Sequence, residues 1–141
     1  MPDLQGFGPM LAEGTLMTVQ VALLSTLFGI LIGIAVAMMK LSSSRTARIA
    51  GDVYTTIVRG VPALVLILLI YFGGVRAVNG LARWLGHSEH VDINAFVAGV
   101  FALSLAFGAY ATEVFRGAFQ SIPKGQIEAA RALGMGRLLT F

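Results

Sequence analysis

Few residues in this chain are equipped for chemistry. "YATEVFRG" holds Glu113 and Arg116 at i, i+3, with Tyr110 one turn earlier, so the three share a helical face. A carboxylate and a guanidinium so placed form a simple ion pair at a membrane edge. If the face lines a bundle interior, they instead form a candidate contact for a charged solute. "HSEH" brings His87 and His90 together with Glu89 between them. A metal site needs further ligands, and none lies near, so a solvated loop is the simpler reading. "PKG" at 123–125 is no phosphate loop, because the pattern G-x-x-x-x-G-K-[ST] occurs nowhere. Any ATP used must then be bound by another chain, and no metal or cofactor is expected on this one. The chain has no cysteine, which excludes disulfides, thiolate metal sites and cysteine nucleophiles.

The last chemical feature is mechanical. In "GQIEAARALG", Gly125 to Gly134, Pro123 stands at an early helical position where its missing N–H costs nothing. Helix formers then run to Leu133, and Gly134 can end the helix by taking a positive φ. Ile127, Ala130 and Leu133 share one apolar face. So short a helix is marginal in water alone; it needs a docking surface, on a partner or on lipid.

The elements that carry these residues are membrane spans. Of 141 residues 57% are hydrophobic and 12% charged, against about 25% charged in soluble domains. Residues 14–39 and 93–112 carry no charge, and each run supplies the roughly 20 residues a hydrocarbon core requires. The first run is too long for the h-region of a signal peptide, and no positive n-region precedes it. Residues 60–75 form a shorter uncharged run, which spans if its helix begins near Tyr54 and Arg59 snorkels at a membrane edge. The expected spans are therefore about 15–39, 54–74 and 93–113, after an external segment 1–13. "KLSSSRTARIAGD" reads as a polar linker. Val75, Val78, Leu81, Ala82 and Leu85, with Trp84, suggest an interfacial helix after the second span. Gly29 and Gly33, with the stripe Ala98, Ala102, Ala106 and Ala109, are small-residue faces for close helix packing.

Orientation follows from Lys and Arg. With the segment after the first span inside, Lys40, Arg45, Arg48, Arg59, Arg116, Lys124, Arg131 and Arg137 lie inside, and only Arg76 and Arg83 outside. That bias puts the amino terminus outside and 121–141 in the cytoplasm. The basic residues flank apolar runs and form no patch, which argues against nucleic acid.

Glu128-Ala129-Ala130 with Gly134 resembles the EAA loop of permease subunits of binding-protein-dependent ABC importers. "YTTIVRGVPALVLILLIYFG" and "GAYATEVFRGAFQSIPKGQIEAARALG" are similar to the polar amino-acid permeases, and most of all to those of histidine and lysine–arginine–ornithine uptake. The resemblance implies an all-α membrane protein whose complete form has five spans, of which three and a cytoplasmic coupling helix are present. The family pattern continues with Ile and Leu-Pro, which here would fall past Phe141, so the chain looks truncated. Also implied are a bacterial inner-membrane location, a second permease subunit (a paralogue or itself), two ATP-binding subunits and a periplasmic amino-acid-binding protein. In that setting Glu128, Ala129, Ala130 and Gly134 couple to the ATPase, and Tyr110, Glu113 and Arg116 are candidates for the substrate path. The protein would be a non-enzymatic permease for a polar, basic amino acid. An opine or another amino acid is the alternative solute, and a non-transporting assembly subunit the alternative from another class.

Overall fold

The structure, a computed structural model, describes residues 7–84 and 94–136; the His87/His90 pair and Arg137 lie outside them. The described residues form five helices: α1 (Gly8–Leu41), α2 (Arg45–Gly60), α3 (Ala63–Trp84), α4 (Ala95–Gln120) and α5 (Lys124–Ala132). Three are long and apolar enough to cross a membrane: α1, Ala63–Leu81 of α3, and α4.

Helix α1 begins earlier than expected. Pro9 in its first turn pre-sets φ without losing an intrahelical bond, and the helix runs unbroken from Gly8 through the uncharged stretch. Thr15 and Thr18 do not interrupt it, because each hydroxyl donates to the carbonyl four residues back, at 2.7 and 2.8 Å. Helix α4 starts at Asn94, whose side chain accepts from the Phe96 amide at 2.8 Å, a standard N-cap.

Helices α1 and α4 run parallel and form the central pair. Ser25 donates to the Val100 carbonyl at 3.4 Å, and Gly29 and Gly33 then meet α4 in register. A Cβ placed on Gly33 would lie 2.8 Å from the Cβ of Ala111, and one on Gly108 would lie 2.9 Å from Ile32. Ser25, Gly29, Gly33 and Ala37 are the buried residues of α1, a four-residue period, and Ala98, Ala102, Ala106 and Ala109 are buried on α4. The Gly29–Gly33 face thus packs on α4 within the chain, against Ser104, Phe107, Ala111 and Phe115. The buried Ala98, Ala102, Ala106 and Ala109 stripe lies on a different face of α4, as 3.6 residues per turn requires. Both helices approach at backbone distance, as small-xxx-small faces allow.

Two expectations give way. The linker at 40–52 becomes helical at Arg45, because Ser44 is an N-cap accepting from the Ala47 amide at 3.5 Å. The Ser run is a helix start as well as a loop. The second span does not begin near Tyr54 as one helix: α2 stops at Gly60, and α3 starts only after Pro62. Proline forces its predecessor extended, and Val61 has φ −105° and ψ 129°. The interfacial helix expected beyond residue 75 is the last part of α3, which continues without a break to Trp84. Helix α2 packs back along α1 and α4, and α3 touches α4.

Gly33 yields a direct test. Gly33→Leu should force α1 from α4 at a cost of about 1–3 kcal/mol, the usual range for overpacking. Gly73→Leu, at a site with no atom within 4 Å of a built Cβ, should leave stability unchanged. Thermal melting in detergent compares them, and equal melting temperatures would refute the parallel α1–α4 contact.

Candidate functional site

The last turn of α1 carries the cation on which the charged cluster is built. Lys40 Nζ lies 2.9 Å from Asp52 Oδ1 and 2.5 Å from Glu113 Oε1, and donates to Thr55 Oγ1 at 3.1 Å. The second carboxylate oxygen of Glu113 accepts from Arg116 Nε at 2.9 Å and pairs with Arg116 Nη2 at 2.8 Å. Arg116 Nη1 donates in turn to Gln120 Oε1 at 2.8 Å. Two cations and two anions balance. The Lys40 side chain is only 10% exposed and that of Glu113 21%, whereas Asp52 is open to solvent.

Small residues let α2 reach this point. A Cβ on Gly51 would lie 2.6 Å from Lys40 Cγ, so the aliphatic stem of Lys40 rests on bare backbone. Gly51 and Thr55 are the buried residues of α2. Sequence reasoning found Glu113 and Arg116 but missed Lys40 and Asp52, which it read as a positive-inside flank and a loop anion. The available signal was the spacing of Gly51, Thr55 and Val58, one face of a helix whose opposite side bears Ile49, Val53 and Ile57.

The three candidate substrate-path residues thus have partners in the chain. Both oxygens of Glu113 are occupied. The ring of Tyr110 is exposed, with the Arg59 guanidinium 5.4 Å from its centroid, within cation–π range. Arg59 is seven residues beyond Asp52, about 10 Å along α2 at 1.5 Å per residue, next to the break at Val61–Pro62. Tyr54 donates its hydroxyl to the Leu105 carbonyl at 2.7 Å and so pins the middle of α2 to α4. A separate groove of about 410 Å³ between α1 and α4 is walled by Phe28, Ile32, Val97, Val100 and Phe101. Such a wall offers a polar amino acid almost nothing to bond. Among the described residues, no group of three or more potential metal ligands occurs.

The segment after α4 is an ordered helix that stands clear of the bundle. Ser121 caps α4 by donating its hydroxyl to the Ala118 carbonyl at 2.8 Å, and Pro123 is the N-cap of α5. The far end closes as a Schellman motif. Gly134 N donates to the Arg131 carbonyl and Met135 N to the Ala130 carbonyl, both at 3.0 Å. Gly134 has φ +81°, a conformation that carries a steric cost for any residue with a Cβ. No residue of α5 is buried; Glu128 and Ala129 are exposed, Ala130 is half-buried, and Leu133 beyond the helix end is 79% exposed. Glu128 is the fifth residue of this helix, past the first turn where the dipole acts, so its carboxylate is presented outward without that support.

These helices match known proteins along nearly the whole chain. Residues 29–141 match the family described as "Binding-protein-dependent transport system inner membrane component". A nopaline transport system permease protein of Agrobacterium fabrum is 48% identical over 132 residues, covering 93% of this chain and 56% of that protein. A histidine/lysine/arginine/ornithine transport system permease protein of Salmonella typhimurium is 44% identical over 138 residues, 98% of this chain and 60% of the relative. A solved structure described as an amino acid ABC transporter with histidines superposes with a TM-score of 0.74 at 35% identity, over 98% of this chain and 59% of that one. The chain thus spans somewhat under two thirds of the length of these relatives. Their extent and identity, together with the matched residues 29–141, make this chain a member of the binding-protein-dependent transport system inner membrane component family.

Proposed function

We propose that this chain belongs to the permease subunit of an ABC importer for polar, basic amino acids of the histidine, lysine, arginine and ornithine class. The single observation that carries the reading is α5, a capped helix with no buried residue, joined to the central α4 by only three residues. Such a helix is a handle. A docking protein that moves α5 moves α4, and α4 is packed on α1 along its length. Energy comes from ATP hydrolysed on two partner subunits, which hold the nucleotide; this chain performs no catalysis. A second permease subunit completes the pore, and a soluble binding protein delivers the solute on the opposite side. Opine transport is a second reading, favoured by the relatives named for nopaline and octopine.

The coupling contact is assigned to Glu128, Ala129, Ala130 and Gly134. The two alanines keep the α5 surface low enough for a groove to close on it, and Glu128 offers its carboxylate to donors there. The substrate route is assigned to the side of the bundle bearing Tyr110, where Arg59 sits beside the α2–α3 break. Glu113 and Arg116 support that side from below through their ion pair. The Lys and Arg bias supports a reading in which α5 is cytoplasmic and the start of α1 outside, in a bacterial inner membrane as for the family.

Two measurements test these assignments. In this cysteine-free sequence, a cysteine replacing Ser43 should react with an impermeant maleimide only from the cytoplasmic side, and one replacing Trp84 only from outside; the reverse would overturn the orientation. Gly134→Val leaves every span intact, and its Cβ would meet no atom within 4 Å, but it forces a β-branched residue into the left-handed region at about 1–2 kcal/mol. Co-purification of the ATP-binding partner with the full-length variant should fall about tenfold while membrane content stays constant. Undiminished co-purification and uptake would reduce α5 to an interfacial anchor.

A further inference from the structure

The handle explains how α4 is moved. It does not by itself explain how α2 follows. Helix α3 has almost no buried surface in the chain: of its described side chains only Asn79 is buried. Its packing within the chain is on α4, and its link to α2 is the short connection across Val61–Pro62. Helix α2 in turn is held by two polar attachments. One is the Tyr54 hydroxyl on the Leu105 carbonyl. The other is Lys40, whose ammonium reaches Asp52 and Thr55 on α2 and Glu113 on α4 from its own seat at the end of α1. Lys40 thus bonds to two other helices at once. Apolar contact adds little between membrane helices, because lipid is as apolar as the side chains it would replace. A polar tie at this point carries a correspondingly large share of the attachment.

We propose that Lys40 is a positioning residue of the transport cycle: its ammonium fastens α2 to the α1–α4 pair, so that movement delivered through α5 reaches α2. The inference rests on the transport reading above. Lys40 touches no solute in this role; it acts through the two carboxylates. Glu113 serves as the α4 end of the tie. Thr55 completes the seat, since its hydroxyl accepts from Lys40 and donates to the Gly51 or Asp52 carbonyl at 3.0 and 3.2 Å.

The test separates a tie from simple charge balance. Lys40→Met/Asp52→Asn removes one cation and one anion, so the cluster stays neutral and Glu113 keeps Arg116. A cysteine replacing Val58, half-buried on the same face of α2 as Gly51 and Thr55, reports whether α2 remains seated. In the full-length protein assembled with its ATP-binding and solute-binding partners, the double variant should raise maleimide labelling at position 58 and lower uptake of radiolabelled arginine, each about tenfold. ATP hydrolysis in the absence of binding protein should be unchanged. Asp52→Asn alone, which leaves Lys40 on Glu113, should give intermediate values, and it decides the matter if the double variant fails to reach the membrane. Wild-type labelling in these variants, or raised labelling with wild-type uptake, overturns the proposal. If the unmodified protein takes up no arginine, histidine or lysine, the transport reading falls, and the labelling still decides whether Lys40 holds α2.

Discussion

Hydrocarbon solvent removes the usual reward for burying apolar side chains against each other, and the architecture of this chain follows from that removal. Between α1 and α4 the substitute is close approach. Gly33 on one helix and Gly108 on the other bring backbone and side chain to distances at which an added Cβ collides. Dispersion then acts over the whole contact. The polar residues in this seam, Ser25, Ser104 and Thr112, are buried at no net cost because each hydroxyl finds a helix carbonyl: Val100 for the two serines and Gly108 for Thr112. The hydroxyls of the seam are all bonded, and α4 becomes the element on which the others are placed.

The same solvent explains why the remaining attachments are polar. Helix α2 cannot be held by its apolar ridge of Ile49, Val53 and Ile57, all exposed. It is held on the other side, by Tyr54, Thr55 and Asp52. A charged cluster of this kind is costly to assemble away from water and costly to break. Removing one partner strands the others, at about 3–5 kcal/mol for a buried pair. Lys40 avoids much of the desolvation penalty by its position, since α1 ends one residue later and Asp52 remains in solvent. The site is thus wet enough to be ionised and dry enough to be strong.

How much of this was legible in the sequence depended on range. The spans, the Gly29–Gly33 face and the α5 boundaries are set by neighbours within a few residues, and the sequence states them. Pro62 was equally visible, yet the hydropathy of 60–75 outweighed it, because lipid-exposed spans tolerate proline and composition alone does not show whether a helix bends or breaks. The Lys40–Asp52–Glu113 cluster was illegible for a different reason. Its members lie 12 and 73 positions from Lys40, and each alone looks like an ordinary charge at the end of an apolar run. Only the parallel packing of α1 with α4, and the return of α2 along both, bring them together. Glu113 illustrates the cost: read locally, it is a free carboxylate available to a cation, while in the fold both its oxygens are taken.

Rigidity and mobility are consequently distributed by the kind of contact each helix makes. The α1–α4 seam has one satisfactory arrangement, since glycines packed at backbone distance tolerate no sliding. Helix α5 buries no residue among those described and can take the geometry of whatever docks on it. Helices α2 and α3 lie between these extremes, because a few hydrogen bonds and ion pairs can rotate about their long side chains without parting. A chain built in this order, from fixed seam to hinged tie to free handle, transmits a displacement imposed at α5 as a rigid-body movement of α1 with α4 and a smaller, steered movement of α2. The break at Val61–Pro62 then lets α3 answer at a different angle, since no backbone hydrogen bond crosses from α2 into the first residues of α3 to hold the two in line.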